Sequence, residues 1–411
     1  MIALKEYSYI RLGICYILCI LIPLFINPTL GLVLGFLVLC YSKQRETLLV
    51  YFSFILALWI SLINVTKEPV SDQYRYMESF KQAAQIPFEY WWGEVTGGNF
   101  KEPIFYIFTY ISQIIFLGNE KFYFFFISLV NYIIIYYVSI RFSKAVKVGF
   151  IYSLTAIVVI TFFTQYFTLT LHIIRQILAA TIVFSAIVLR AIDGKKRYFL
   201  LICGALIHSS VILLVLLSLI PWFYKKMNLI KLLICGVSLL LFVILFGLIG
   251  SYLMSNLGEV GGTYVLSRMK EGAIDTVGQI SMIAVLIVLL PMILISIKLL
   301  LFDLPRNHYG TMKNNDDSPF YPIIYIFLIF SIFILAMSKS PLIQYRFFMM
   351  SYVFIPFIMP YLIYKTNILH KVYLISLDLF FIIRFILLHN TGEFQYAPII
   401  EIFALPLPFM L

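Results

Sequence analysis

Apolar runs long enough to cross a hydrocarbon layer recur along this chain, and no other feature constrains its fold as tightly. Residues 232–254, 280–302, 320–337 and 347–364 are four such runs, and about 20 residues suffice for one helical crossing. Hydrophobic residues make up 62% of the chain and charged residues only 12%, where a soluble domain carries about a quarter charged. The expected fold is therefore all-α: a polytopic helical membrane protein with about 11–13 hydrophobic segments. Its 411 residues leave room for one transmembrane domain, 1–411, and no separate soluble one.

The net charge of +11 does not point to nucleic acid, because the basic residues sit in short clusters between apolar runs. Those clusters are Lys43/Arg45, Arg141/Lys144/Lys147, Lys195/Lys196/Arg197, Lys225/Lys226/Lys231 and Lys365/Lys371. Loop charge of this kind orients a membrane protein and places each cluster in the cytoplasm. The first apolar run, 12–26, lacks a small-residue cleavage site and reads as a retained segment. The cysteines, at 15, 19, 40, 203 and 235, lie inside apolar segments and do not form a disulfide framework.

Two runs must then return to the side they came from. Residues 104–117 are too few for an easy crossing and suit a re-entrant or interfacial helix. Residues 198–220 lie between two basic clusters, and a hairpin broken at His208-Ser209-Ser210 keeps both inside. This leaves the segments 65–103, 165–172, 255–278 and 338–346 as outward loops, with 65–103 the main one and 255–278 the second.

The polar chemistry gathers in those outward regions. Ser71 caps an amphipathic helix with Asp72 in its first turn, and Tyr76, Phe80 and Ala83 share its apolar face before Pro87 ends it. Asp72, Arg75 and Tyr76 are neighbours on that helix. Asp72 reads either as half of a local ion pair with Arg75 or as a general base beside the bilayer. The aromatic run Phe88, Tyr90, Trp91, Trp92 reads as an interfacial anchor, though its rings could also stack on sugars. Glu102 stands before Pro103, where the chain re-enters the membrane.

A sharper signal is His172, Arg175, Gln176 and Ala179, which fall on one helical face at i, i+3, i+4 and i+7. Arg175 lies on the side that positive charge avoids. It either snorkels to water or binds an anion, and a guanidinium fork suits phosphate oxygens. Arg346, after Gln344-Tyr345, and Arg268, in the loop with Lys270, repeat the theme. Three such arginines converging would hold a diphosphate. His208 in its apolar run reads equally as a satisfied buried histidine or an active one. There is no phosphate-binding glycine loop, no HExxH, no paired CxxC and no GxSxG, so a protease, an ATP-driven pump or a zinc enzyme is not indicated.

Taken in order, Ser71-Asp72-Gln73-Tyr74-Arg75-Tyr76, Glu102-Pro103, Ile174-Arg175-Gln176-Ile177-Leu178-Ala179, Ala205-Leu206-Ile207-His208-Ser209-Ser210 and Tyr345-Arg346 resemble the EpsG branch of the bacterial Wzy-type polysaccharide polymerases. The resemblance implies a metal-independent, cofactor-free glycosyltransferase related to the multi-spanning lipid-sugar-dependent transferases. It implies a site at the outer face of the bacterial inner membrane, facing the periplasm or cell exterior. Its substrate would be an undecaprenyl-diphosphate-linked oligosaccharide, and its partners a chain-length regulator and a flippase of the same pathway. On this reading Asp72, Glu102 and His172 are the catalytic candidates, and Arg175, Arg268 and Arg346 hold the diphosphate. Arg75, Tyr76, Gln176, His208 and Tyr345 are further candidates. The competing readings are a lipid-linked oligosaccharide flippase or transporter, disfavoured by the absence of matching halves, and an O-antigen ligase with nearly the same chemistry.

Overall fold

The computed structural model describes residues 16, 26–70, 72–96, 102–225, 233–238, 241, 283, 285–303, 319–337, 341–387 and 396–397. Among them every regular element is helical, and the chain is an all-α polytopic membrane protein. The α-helices with defined ends are α1 (Pro28–Tyr41), α2 (Arg45–Val65), α3 (Asp72–Gln82), α4 (Phe88–Thr96), α5 (Pro103–Ile115), α6 (Glu120–Ala145), α7 (Phe150–Phe162) and α8 (Thr164–His172). They continue with α9 (Ile174–Asp193), α10 (Tyr198–Ile207), α11 (Ile212–Leu219), α12 (Leu290–Lys298), α13 (Phe320–Ala336), α14 (Pro341–Lys365) and α15 (Ile368–Ile386).

Among the described residues, α2, α6, α9 and the stretch Ile343–Lys365 of α14 are each long and apolar enough to cross a membrane. α6, with 26 residues, extends about 39 Å at 1.5 Å per residue, more than the roughly 30 Å hydrocarbon core. Asn119 starts it by accepting the backbone N–H groups of Lys121 and Phe122 at 3.0 and 3.2 Å. α5 has only 13 residues and reaches about 20 Å, too short to cross alone.

α7 and α8 meet at a bend of 51°. Phe163, at φ −72° and ψ 95°, leaves helical space there. This corrects the outward loop expected at 165–172: Thr164–His172 is a helix, and Thr164, Tyr166, Phe167, Thr168, Leu169, Thr170 and Leu171 are buried in it. Its threonines give the stretch a loop-like polarity, but each hydroxyl is satisfied inside the protein. Thr168 donates to the Gln165 carbonyl at 3.2 Å, Thr170 to that of Phe167 at 2.7 Å, and Thr164 to that of Phe381.

The contacts group the chain into two compact units. The first holds Met1–Ala186, Arg197–Val211 and Asp378–Leu411, and the second holds Ile187–Lys196 and Ile212–Leu377. Helix association in lipid relies on close packing and interhelical hydrogen bonds rather than on water exclusion, and the first unit shows both. The fully buried Asn64 of α2 presents its amide nitrogen to Ser128 Oγ of α6 at 3.1 Å, and to the Phe167 carbonyl and Thr170 Oγ1 of α8 at 3.2 and 2.6 Å. In the second unit α13 is apolar all round and packs on α14, with Phe320 and Tyr361 stacked at 3.8 Å. Arg190 there donates to the Ser218 carbonyl near the end of α11, and its guanidinium lies 3.9 Å from the Tyr224 ring centroid.

Candidate functional site

The site belongs to the first unit and is built outward from α3. The expected apolar face is observed: Tyr76, Phe80 and Ala83 are buried. Phe80 stacks on Tyr123 of α6 at 4.6 Å, and Tyr76 meets Phe105 of α5 edge-on at 5.6 Å. Thr109 of α5 and Tyr123 share a hydrogen bond of 2.9 Å, which ties those two helices beneath α3. The aromatic run beyond Pro87 forms α4. Trp91 is fully buried, and its indole N–H donates to the Ser79 carbonyl of α3 at 2.8 Å. Tyr90 is 73% exposed.

Arg175 sits in the first turn of α9 and is the hub of the site. Its Nε donates to the Tyr76 hydroxyl at 3.2 Å, and its Nη1 donates to the Tyr106 hydroxyl at 3.0 Å and to Glu102 Oε2. Its guanidinium carbon lies 5.2, 5.8 and 5.7 Å from the Tyr76, Phe105 and Tyr106 ring centroids. Burial raises the phenol pKa of Tyr76, with the Arg175 charge opposing, so Tyr76 is a neutral hydroxyl at pH 7.

Glu102 is only 4% exposed, and its second oxygen, Oε1, meets His208 Nδ1. It holds a left-handed backbone, φ 54° and ψ 48°, which costs a side-chain-bearing residue about 1–2 kcal/mol. Strain of this kind persists only where the surroundings impose it, and here two cationic or hydrogen-bonding partners hold the carboxylate from opposite sides.

His208 reaches Glu102 because α10 comes very close to α9. A Cβ on Gly204 would lie 2.4 Å from Val183 Cγ2 and 3.3 Å from the Ala179 carbonyl oxygen, so only glycine fits. Arg175, Ala179 and Val183 lie on one face of α9 at i, i+4 and i+8. His208 follows Gly204 by one turn, and the helix breaks there, at φ −156° and ψ 124°, as the sequence led one to expect. Ala179 thus serves the approach of α10.

A cavity of about 230 Å³ opens beside Arg175, lined by Asp72, Arg75, Tyr76, Ser79, Val95, Phe105, Tyr106, Thr109 and Arg175. Asp72 stands at 3.8 Å from Arg75, with side chains 38% and 82% exposed. Such an exposed pair is weak, under about 1 kcal/mol, and leaves both groups free to meet a ligand. Glu102 and His208 are turned into the protein and do not line this cavity.

His172 ends α8 rather than opening α9, because Ile173, at φ −118° and ψ 60°, breaks the chain between them. The single helical face from His172 to Ala179 is therefore corrected to Arg175, Gln176 and Ala179. His172 is half-buried, within electrostatic reach of Lys67 and Asp72. Gln176 is buried. Tyr345 is half-buried and Arg346 exposed, both on α14 in the second unit. Arg268, the loop 255–278 and Ser71 lie outside the described residues.

Sequence reasoning missed Tyr106, Gly204 and Lys67. Lys67 follows α2 and is 3% exposed, and burial pushes its ammonium pKa down to about 7. A lysine just past an apolar helix reads as a solvated flank, so no sequence signal marked it.

The family model described as the EpsG family matches residues 47–399. No curated protein and no solved structure matches the chain. With a match over that span, the chain belongs to the EpsG family, a family of Wzy-type polysaccharide polymerase-like proteins. Membership points to glycosyltransferase-like polysaccharide polymerase activity in a membrane protein.

Proposed function

We propose that this EpsG family member extends a polysaccharide, such as an O-antigen or capsule, at the outer face of the bacterial inner membrane. The donor is a growing chain on undecaprenyl diphosphate, and the acceptor is a sugar hydroxyl of a lipid-linked repeat unit. The observation that carries this reading is the cavity whose walls bring Asp72, Arg75, Tyr76 and Arg175 together. It offers two guanidinium groups, two phenols and one carboxylate in a cleft whose other walls are Ser79, Val95, Phe105 and Thr109.

In the reaction, the acceptor hydroxyl oxygen bonds to the anomeric carbon of the donor, and the bond from that carbon to the diphosphate oxygen breaks. The diphosphate leaves with the electron pair, and Arg175 with Arg75 stabilises its developing charge. Asp72 takes the proton of the hydroxyl. Glu102 is a positioning residue: its carboxylate aims Arg175 and is itself aimed by His208. Tyr76 and Tyr106 accept from Arg175 through their hydroxyl oxygens, and their hydroxyl protons remain for a ligand oxygen.

The test is elongation of lipid-linked repeat units by purified variants in liposomes. Asp72→Asn should lower extension by about 10²- to 10⁴-fold, the usual contribution of a general base, while Asp72→Glu retains part of it. Extension at the wild-type rate by the asparagine variant rules out Asp72 as the base. Repeat units that cross the bilayer without being joined would favour the flippase instead.

A further inference from the structure

α4 reaches the cavity through Val95. Phe88, Trp92 and Val95 lie at i, i+4 and i+7 on that helix, and Val95 lines the cavity itself. Trp92 is half-buried, 5.7 Å from Phe88 and 6.1 Å from Tyr106 between ring centroids. The Tyr106 hydroxyl in turn accepts from Arg175 at 3.0 Å. A single ring therefore separates the guanidinium from the indole of Trp92.

We propose that Trp92, backed by Phe88 and Tyr106, is a stacking platform for the pyranose directly attached to the diphosphate held at Arg175. The inference rests on the proposed diphosphate site and adds a sugar subsite to it.

Three observations favour a sugar over the bilayer as the occupant. A tryptophan that anchors in headgroups stands clear of the protein, as Tyr90 does at 73% exposure. Trp92 is instead held edge-to-face at 74° against Tyr106, on the helical face it shares with the cavity-lining Val95. Its neighbour Trp91 is the fully buried indole, bonded to Ser79, which ties α4 to α3. Finally, a pyranose has an apolar C–H face and a polar rim, and the adjoining walls pair aromatic rings with the polar groups of Ser79, Thr109 and Arg75. In a sugar diphosphate the ring sits one oxygen from phosphorus, so a sugar whose phosphate meets Arg175 must lie close to Tyr106 and its neighbours. Stacking of this sort tolerates different pyranoses, since it reads the C–H face and not the hydroxyl pattern.

The experiment measures equilibrium binding to the full-length protein in lipid nanodiscs. The probes are farnesyl diphosphate, and farnesyl diphosphate carrying glucose, galactose or N-acetylglucosamine. The wild type should bind the sugar-bearing probes more tightly than farnesyl diphosphate. Trp92→Ala should weaken the sugar-bearing probes by about tenfold, the scale of losing an anchoring tryptophan, with farnesyl diphosphate bound as before. Trp92→Phe, which keeps an aromatic face, should recover most of the difference and guards against misfolding as the cause. If Trp92→Ala binds all probes as the wild type does, or if no sugar adds affinity to the wild type, the platform is overturned and the diphosphate reading stands. If Arg175→Ala leaves farnesyl diphosphate binding intact while Trp92→Ala still removes the sugar increment, the diphosphate reading is overturned alone. If the wild type binds none of the probes, both fall together.

Discussion

Glu102 and His208, 106 positions apart in the chain, meet through Oε1 and Nδ1, and the other oxygen of the same carboxylate holds Arg175. One buried carboxylate thus organises three segments: the start of α5, the first turn of α9 and the break after α10. Removing its charge leaves a guanidinium without its counter-ion. Breaking one side of a buried pair costs about 3–5 kcal/mol, and the 24% exposure of the Arg175 side chain puts this case at the lower end. Glu102→Gln should therefore lower the thermal midpoint in detergent and abolish chain extension. Glu102→Gln combined with Arg175→Met should regain much of the stability and none of the activity. Equal loss of stability in the single and double variants would show that the ion pair is not what Glu102 supplies.

Arg175→Lys should be nearly as damaging as Arg175→Ala. Lysine keeps the charge, but a compact ammonium cannot reach Tyr76, Tyr106 and Glu102 at once as the planar fork does. The readout is polymer length at matched expression. Normal chains from the lysine variant would mean that the position needs only a charge that reaches water.

The parts of this site that were legible in the sequence are those carried by local rules. The i, i+4, i+7 spacing of Tyr76, Phe80 and Ala83 announced the buried face of α3. The polar interruption at His208-Ser209-Ser210, midway between two basic clusters, announced the broken helix. What was hidden is what depends on three-dimensional closure. The role of Gly204 comes from the nearness of Val183 on another helix, and a glycine in an apolar run has many explanations. Tyr106 reads as one more aromatic in a short helix until Arg175 is set beside it. The helix at 164–172 was hidden too: its threonine hydroxyls are satisfied by nearby carbonyls, which sequence does not show.

The buried Lys67 makes the stability of the protein depend on pH. Its folded pKa, about 7, lies below the ordinary value of 10.5. Below pH 7 the lysine is charged in both states, so the cost of burying it is fully present. Between about 7 and 10.5 the folded form is neutral first, and the cost fades as pH rises. Lys67→Met should therefore stabilise the protein by a few kcal/mol at about pH 6, with the gain shrinking towards pH 10. Thermal unfolding across that range checks it. A methionine variant less stable at both ends would mean that the contacts of the ammonium outweigh its desolvation.

The close packing of α10 on α9 at Gly204 delivers His208 to Glu102. A methyl group at position 204 meets Val183, a β-branched side chain with little freedom to turn aside, and the backbone oxygen of Ala179 beyond it. Overpacking of this kind costs about 1–3 kcal/mol, offset in part by the roughly 0.5–1 kcal/mol that alanine gains over glycine in a helix. The net loss of stability in Gly204→Ala should thus be modest. Activity should fall further, because α10 must shift away from α9, and His208 moves with it from Glu102. Gly204→Ala with Val183→Ala makes room for the new methyl and should restore chain extension along with stability. The two variants are compared by thermal unfolding and by elongation of lipid-linked repeat units. Full activity in Gly204→Ala alone would show that the site does not depend on the close approach of these helices.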